Sequence, residues 1–335
     1  MVMGPEPSTG ATDLVDEPAQ LPVDESTGKV IEGRSLGRIA WNRLKRDRVA
    51  TISACVIVFL ILVAVFAPLI TKLLGHPPNE YHSNLVSEDD GLPLSSYGGI
   101  KWRFLFGVEP INGRDLFSRV VYGSRISLII AFFATTVSVI LGVLIGVIAG
   151  YFGGWVDTVL SRIMDAILTF PLLLFAFVLV GVIPDHSFGM SGNTLRVVIL
   201  IFIIGFFSWP YIGRIIRGQT LSIREREYVE AARSLGARPM FIIFREILPN
   251  LVAPILIYTT LLIPTNILFE AALSFLGVGV PPPTATWGGM ISDAVQWSTV
   301  DPWFMLWPGL AIFVTVLAFN LFGDGLRDAF DPRSR

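Results

Sequence analysis

Residues 126–156 read ISLIIAFFATTVSVILGVLIGVIAGYFGGWV, 31 consecutive positions without an Asp, Glu, Lys or Arg. A helix rises about 1.5 Å per residue, so about 20 apolar residues cross the roughly 30 Å of bilayer hydrocarbon. Backbone amides in lipid have no water to bond, so such a stretch must close its hydrogen bonds internally as a helix. Working outward, further uncharged windows fall at 50–70, 166–184, 197–213, 247–269 and 302–323. A soluble domain with buried helices rarely repeats this length six times. The composition agrees: 53% of the chain is hydrophobic and 16% charged, against about 25% charged in an average soluble domain. The expectation is an all-α, polytopic membrane protein with six transmembrane helices.

Lys and Arg near membrane ends mark the cytoplasmic side. With both termini inside, 18 of the 25 basic residues lie on that side. They include Lys29 and six more up to Arg48, then Arg162, seven from Arg214 to Arg245, and Arg327, Arg333 and Arg335. The reverse orientation would invert this bias. The single cysteine, Cys55, lies inside the first window and cannot form an internal disulfide. That window starts too late for a cleaved signal peptide and reads as a retained anchor.

The expected organisation follows from composition. Residues 1–33 read as a disordered cytoplasmic tail, because positions 1–28 hold six acids and neither Lys nor Arg. Residues 34–49 form a basic juxtamembrane segment. Its Leu36, Ile39, Ala40 and Leu44 fall at helical spacing, which fits either an amphipathic surface helix or a plain positive-inside anchor. Residues 50–74 are the first transmembrane helix, and 75–124 an external segment too long for a passive connection. Residues 125–323 form a core of five further helices with a cytoplasmic loop at 214–249, and 324–335 a cytoplasmic end. Small residues recur every fourth position at Ala134, Ser138, Gly142, Gly146 and Gly150. Such a line lets another helix approach closely, more readily within this chain than across a subunit interface. Pro171 and Pro308 sit inside windows where they can kink a helix.

Chemistry is sparse. There is no phosphate-binding loop of the G-x-x-x-x-G-K-[ST] kind, and the one Gly-Lys pair, Gly28-Lys29, lacks the upstream glycine. His76, His82 and His186 lack metal-site spacing, so no metal ligand, cofactor or catalytic residue is expected. Nothing points to nucleic acid.

The loop at 214–249 carries the function. It contains Glu227, Tyr228, Val229, Glu230, Ala231, Ala232 and Arg233, with acids early and a base late, which suits a short helix of about three turns. Gly236 stands where such a helix ends in a left-handed cap, Pro239 blocks its continuation, and Leu248-Pro249 opens the next span. Two adjacent alanines leave a smooth surface for a partner.

Glu230-Ala231-Ala232, then Gly236, then Leu248-Pro249 resemble the EAA signature of ABC importer permeases. Glu246 stands where that signature usually has Ile. A second copy, Glu270-Ala271-Ala272, has its glycine one place late, at Gly277, inside an apolar segment. Further stretches are similar to the C-type permease of dipeptide and oligopeptide importers. They are Gly113-Arg114-Asp115 with Ser118-Arg119, the run Tyr122 to Leu128, Gly150 to Trp155, Leu273 to Gly277 and Ala318 to Asp328. The likeness runs from about residue 38 to the end. Where that group usually has Gly-Thr-Asp, this chain has Gly107-Val108-Glu109 with one residue more before Gly113-Arg114-Asp115.

The resemblance implies a type I ABC importer permease fold in the cell membrane. It also implies a homologous second permease, two cytoplasmic ATPase subunits that hold ATP and Mg, and an extracellular peptide-binding protein. Glu230, Ala231, Ala232, Gly236, Leu248 and Pro249 would then couple to an ATPase. Glu270 follows an uncharged window and is expected near the outer boundary of the hydrocarbon, either at the external gate or in a structural role where the helix breaks before Pro281. The residues alone leave two alternatives, a stand-alone secondary transporter or channel, and a membrane scaffold. The first would commonly carry mid-membrane charges, and the second leaves the spaced loop motif unexplained.

Overall fold

The computed structural model describes residues 36–184, 186–187 and 189–331. The acidic tail at 1–33, Arg34, Arg333 and Arg335 lie outside the described residues. The basic segment is helical: α1 runs Leu36–Arg46. The Asp47 carboxylate then accepts from the amides of Val49 and Ala50 at 2.8 and 3.2 Å, which starts α2, Arg48–Val65. Ala40 of α1 is buried while Trp41 is exposed, with the Lys45 ammonium 4.9 Å from its ring centre.

The first span was expected to run unbroken to residue 74. Instead α2 stops at Val65 and α3, Ala67–Leu74, restarts after Phe66. Pro68 in the first turn of α3 has no amide proton for the preceding turn, so the ladder is interrupted there. The main helix α4, Leu116–Phe152, begins well before the expected core boundary at 125, because Asp115 caps it through the amides of Phe117 and Ser118.

The window at 166–184 is not one straight span. Helices α5, Gly154–Thr169, and α6, Leu172–Val182, meet at 80°. Pro171 disfavours helical backbone in the residue before it, and Phe170 is accordingly extended, at φ −79° and ψ 131°. Helices α7, Gly192–Arg224, α8, Glu227–Ser234, α9, Pro239–Phe275, α10, Trp287–Ala294, and α11, Pro302–Phe330, complete the chain. Five helices are singly long and apolar enough to cross a membrane (α2, α4, α7, α9 and α11), and the bent pair α5–α6, counted as one broken span, brings the number to the expected six. Pro308 lies within α11 without ending it. The only strands among the described residues are the two-residue pair His186–Ser187 and Met190–Ser191.

The centre of the bundle is the α4–α7 contact. The small-residue line of α4 is buried in it. A β-carbon on Gly142 would stand 2.8 Å from the Ile212 Cβ, and one on Gly146 would stand 2.6 Å from the Gly213 carbonyl oxygen. The Ser138 hydroxyl donates to the Gly205 carbonyl at 2.9 Å. The line therefore serves packing inside this chain, as expected. At one end of the bundle α1 meets the close of α11, where Arg43 donates to the Asp331 carbonyl at 2.7 Å. The first and last described residues thus share one end, and segment 75–115 covers the other, where Phe106 stacks on Trp307 of α11 at 4.1 Å.

Candidate functional site

The loop after α7 is anchored before it is presented. Arg224, at the end of α7, donates to the carbonyls of Gly150 and Tyr151, both at 3.2 Å, and so caps the orphan carbonyls at the end of α4. Arg217 grips Asp157 through two nitrogens, one at 2.7 Å, and Arg214 pairs with Asp165. These contacts tie α4, α5 and α7 together below the loop. The Arg217 guanidinium and the Asp157 carboxylate sit only partly exposed, so the pair is a stiff joint.

Helix α8 covers eight residues, about two turns and not the expected three. Leu235 ends it, and Gly236 takes the left-handed backbone, at φ +80°. The Ala237 amide then bonds the Ala232 carbonyl at 3.1 Å, which closes the cap. Pro239 stops α8 and also opens α9, since proline is well suited to a first helical turn. The next span therefore starts at Pro239, nine residues before Leu248-Pro249, and passes through a π-helical turn at Ile243–Ile247. One extra residue in that turn rotates the remainder of α9, and Glu246, which departs from the usual Ile, lies within it.

Val229, Ile242, Ile243 and Ile247 are buried against Tyr151, Ile212 and Ile216. The remaining face looks outward. Glu230, Ala231, Gly236 and Pro249 are exposed, and Ala232 and Leu248 are half-buried. Around them Leu235 is 88% exposed, and Met240, Phe241 and Phe244 lie between 54% and 65%. These bare large side chains flank the exposed small-residue face of α8. The sequence reading missed these flanking residues, although their apolar identity in a charged loop was a usable signal.

Glu270 lies on α9 and is fully buried. One oxygen accepts from the Ser274 hydroxyl at 2.8 Å, and the Ser127 and Thr286 hydroxyls also lie within its electrostatic reach. No cation pairs with it among the described residues, and its partner is a side-chain hydroxyl and not the backbone donors expected at a helix break. One turn earlier, Asn266 donates to Thr135 at 2.8 Å and accepts from Ser208 at 3.1 Å, linking α4, α7 and α9. Counting only charged residues hides this Asn inside an apparently apolar window. Beside the α5–α6 bend, a cavity of about 470 Å³ is walled by Phe170, Phe207, Ser208, Tyr211, Thr265 and Phe269.

At the far end Glu109 is 1% exposed and lies between two buried arginines. Its Oε2 accepts from Arg114 Nε at 2.6 Å, and its Oε1 faces Arg119. Arg119 also donates to the Pro78 and Pro283 carbonyls and to Asn79, at 3.2 to 3.4 Å. The departure Gly107-Val108-Glu109 thus supplies the counter-charge that closes this end.

Comparison with known proteins gives a consistent answer. The pattern of the binding-protein-dependent transport system inner membrane component matches residues 142–335. That of the N-terminal transmembrane domain of oligopeptide transport permease C matches residues 35–90. The dipeptide transport system permease protein DppC of Alkalihalophilus pseudofirmus is 39% identical over 298 residues, covering 89% of this chain and 90% of that one. The glutathione transport system permease protein GsiD of Escherichia coli is 40% identical over 293 residues, covering 88% and 89%. A chain of the MetNI methionine ABC transporter, solved facing inward, aligns with a TM-score of 0.51 at 18% identity, over 64% of this chain and 97% of that one, which supports the fold. The bent third span, the capped loop helix and these matches lead to one conclusion: the chain belongs to the family of inner-membrane permease components of binding-protein-dependent ABC transport systems.

Proposed function

We propose that this chain forms one half of the translocation pathway of an ATP-driven peptide importer and receives its power stroke through α8. The observation that carries the reading is a rigid helix, pinned by Val229 beneath, that offers Ala231 and the bare Leu235, Met240, Phe241 and Phe244 to a partner. The partner is an ATPase subunit, which binds ATP and Mg. A second, homologous permease completes the pathway, and a peptide-binding protein delivers substrate to the end covered by segment 75–115. Both termini and α8 lie in the cytoplasm, in keeping with the charge bias. The aromatic and hydroxyl-lined cavity beside the α5–α6 bend is this chain's contribution to the wall of the path. The names of the relatives point to short peptides as cargo.

The test uses the full transporter with Cys55→Ser. A cysteine at Ala231 should crosslink to an ATPase subunit, and a cysteine at Ser87 should label from outside while one at Ser234 does not. An assembled, ATP-hydrolysing complex in which position 231 crosslinks only to solvent reagents would reject the coupling role. External labelling of both serine positions would reject the orientation.

A further inference from the structure

Arg125 has no ion pair or hydrogen bond among the described residues, and it is exposed on α4. It forms the rim of an apolar groove of about 450 Å³ between α2, α4, α9 and α11. Every other residue in that wall is apolar, and Ile61, Val65, Phe132 and Phe133 are between 46% and 61% exposed.

Depth follows from helix geometry. Arg224 caps α4 at Gly150, where the loop end of the bundle begins. From Gly150 back to Arg125 is about 37 Å at 1.5 Å per residue, more than the roughly 30 Å of hydrocarbon but within the roughly 40–45 Å that includes headgroups. The uncharged run also starts directly after Arg125. The guanidinium therefore stands at the level of lipid phosphates, with the groove descending from it into the hydrocarbon.

We infer that this groove holds an anionic phospholipid, its phosphate on Arg125 and one acyl chain laid along Ile61, Val65, Leu128, Phe132 and Phe133. A bare arginine on a lipid-facing helix is costly unless a counter-charge meets it, and the fork of a guanidinium matches a phosphate. The wall offers a packed partner helix no second polar group, whereas an acyl chain needs none. The inference rests on the chain's place in the bilayer and not on what is transported.

The assembled transporter, moved from phosphatidylglycerol nanodiscs into mild detergent, should show one retained phospholipid by native mass spectrometry. Arg125→Gln should lower the retained fraction about tenfold, the scale of one lost charge-assisted contact. Leu128→Trp, which fills the groove and leaves the charge, should lower it to a similar degree. Inorganic phosphate added in excess should leave the adduct in place. Equal retention by both variants, displacement by inorganic phosphate, or a crosslink from a cysteine at Phe132 to another protein chain would each overturn the assignment. Uptake plays no part in the readout, so failure here leaves the transport reading standing.

Discussion

Glu109 and Arg114 are held 2.6 Å apart, carboxylate to guanidinium, with both side chains out of solvent. A tight turn makes the pair: the Glu109 amide bonds the Arg114 carbonyl, and the Gly113 amide bonds the Glu109 carbonyl, each at 2.9 Å. Arg119 presses on the other carboxylate oxygen. One acid thus serves two buried bases, and its removal takes the nearest counter-charge from both, leaving Asp293 as the other carboxylate acting on them.

Glu109→Ala should cost about 3–5 kcal/mol, the usual penalty for an uncompensated buried charge. Thermal melts of the purified transporter should show the loss. Glu109→Asp, which keeps the charge on a shorter stem, should lose less. If the Ala variant melts within about 1 kcal/mol of the parent, the cluster contributes nothing to holding this end together.

Gly236→Val should abolish uptake while the chain still inserts. The backbone there is left-handed, at φ +80°, and a β-carbon added at that position would meet nothing within 4 Å, so the cost is conformational and not steric crowding. A β-branched residue pays roughly 1 kcal/mol or more in that region, enough to unwind the cap and shift α8. Gly236→Asn tolerates the same backbone and should retain most uptake. Ala231→Trp should block uptake from the exposed side, with α8 itself intact. Normal transport by both the Val and Trp variants would make the loop a mere connector.

Much of this arrangement was legible in the residues, for physical reasons that vary with each element. The uninterrupted run at 126–156 could only be a helix in lipid, and Gly236 could be placed at a cap because few residues accept its backbone. The four-residue spacing from Ala134 to Gly150 indicated a close helix contact, but its partner α7 was set by three-dimensional packing. Pro171 announced a kink, while the 80° turn depends on Phe170 being pushed extended between two short helices. The π-helical turn before Leu248, the Glu109 cluster and the Asn266 bridge depend on contacts between distant positions, which periodicity does not encode.

Asp301 should make stability depend on pH. It precedes α11, is 3% exposed, and neither carboxylate oxygen has a hydrogen-bond partner among the described residues. Burial raises its carboxyl above the usual range, and the nearby Trp303 and Phe304 amides, which do not reach hydrogen-bonding geometry, offset this only in part. The folded state then holds the proton more tightly than the unfolded chain. Its penalty is full above the folded pKa and disappears as pH falls through that value toward the unfolded one. Asp301→Asn should therefore raise Tm at pH about 7.5, and the gain should vanish near pH 4. A gain of equal size at both pH values would mean that the carboxylate charge is irrelevant.

Glu270 should tolerate the loss of its charge but not the loss of its hydrogen bonding. Its burial, its bond to Ser274 one turn along α9 and the nearby Ser127 and Thr286 hydroxyls place it where α9, α4 and the segment before α10 meet. No cation of this chain answers it among the described residues, so any gate role would need a partner from another subunit. The contacts favour a structural task, in which one carboxylate oxygen holds the Ser274 hydroxyl while the Ser127 and Thr286 hydroxyls lie nearby. Glu270→Gln keeps the size and an acceptor for Ser274, and it should preserve assembly and uptake. Glu270→Leu leaves the Ser274 hydroxyl without its partner and should cost about 1–3 kcal/mol in a melt. If Glu270→Gln instead stops uptake while assembly and basal ATP hydrolysis survive, the structural role fails. Charge at that depth would then have to act on the pathway itself, through a cation brought by the second permease or by the peptide.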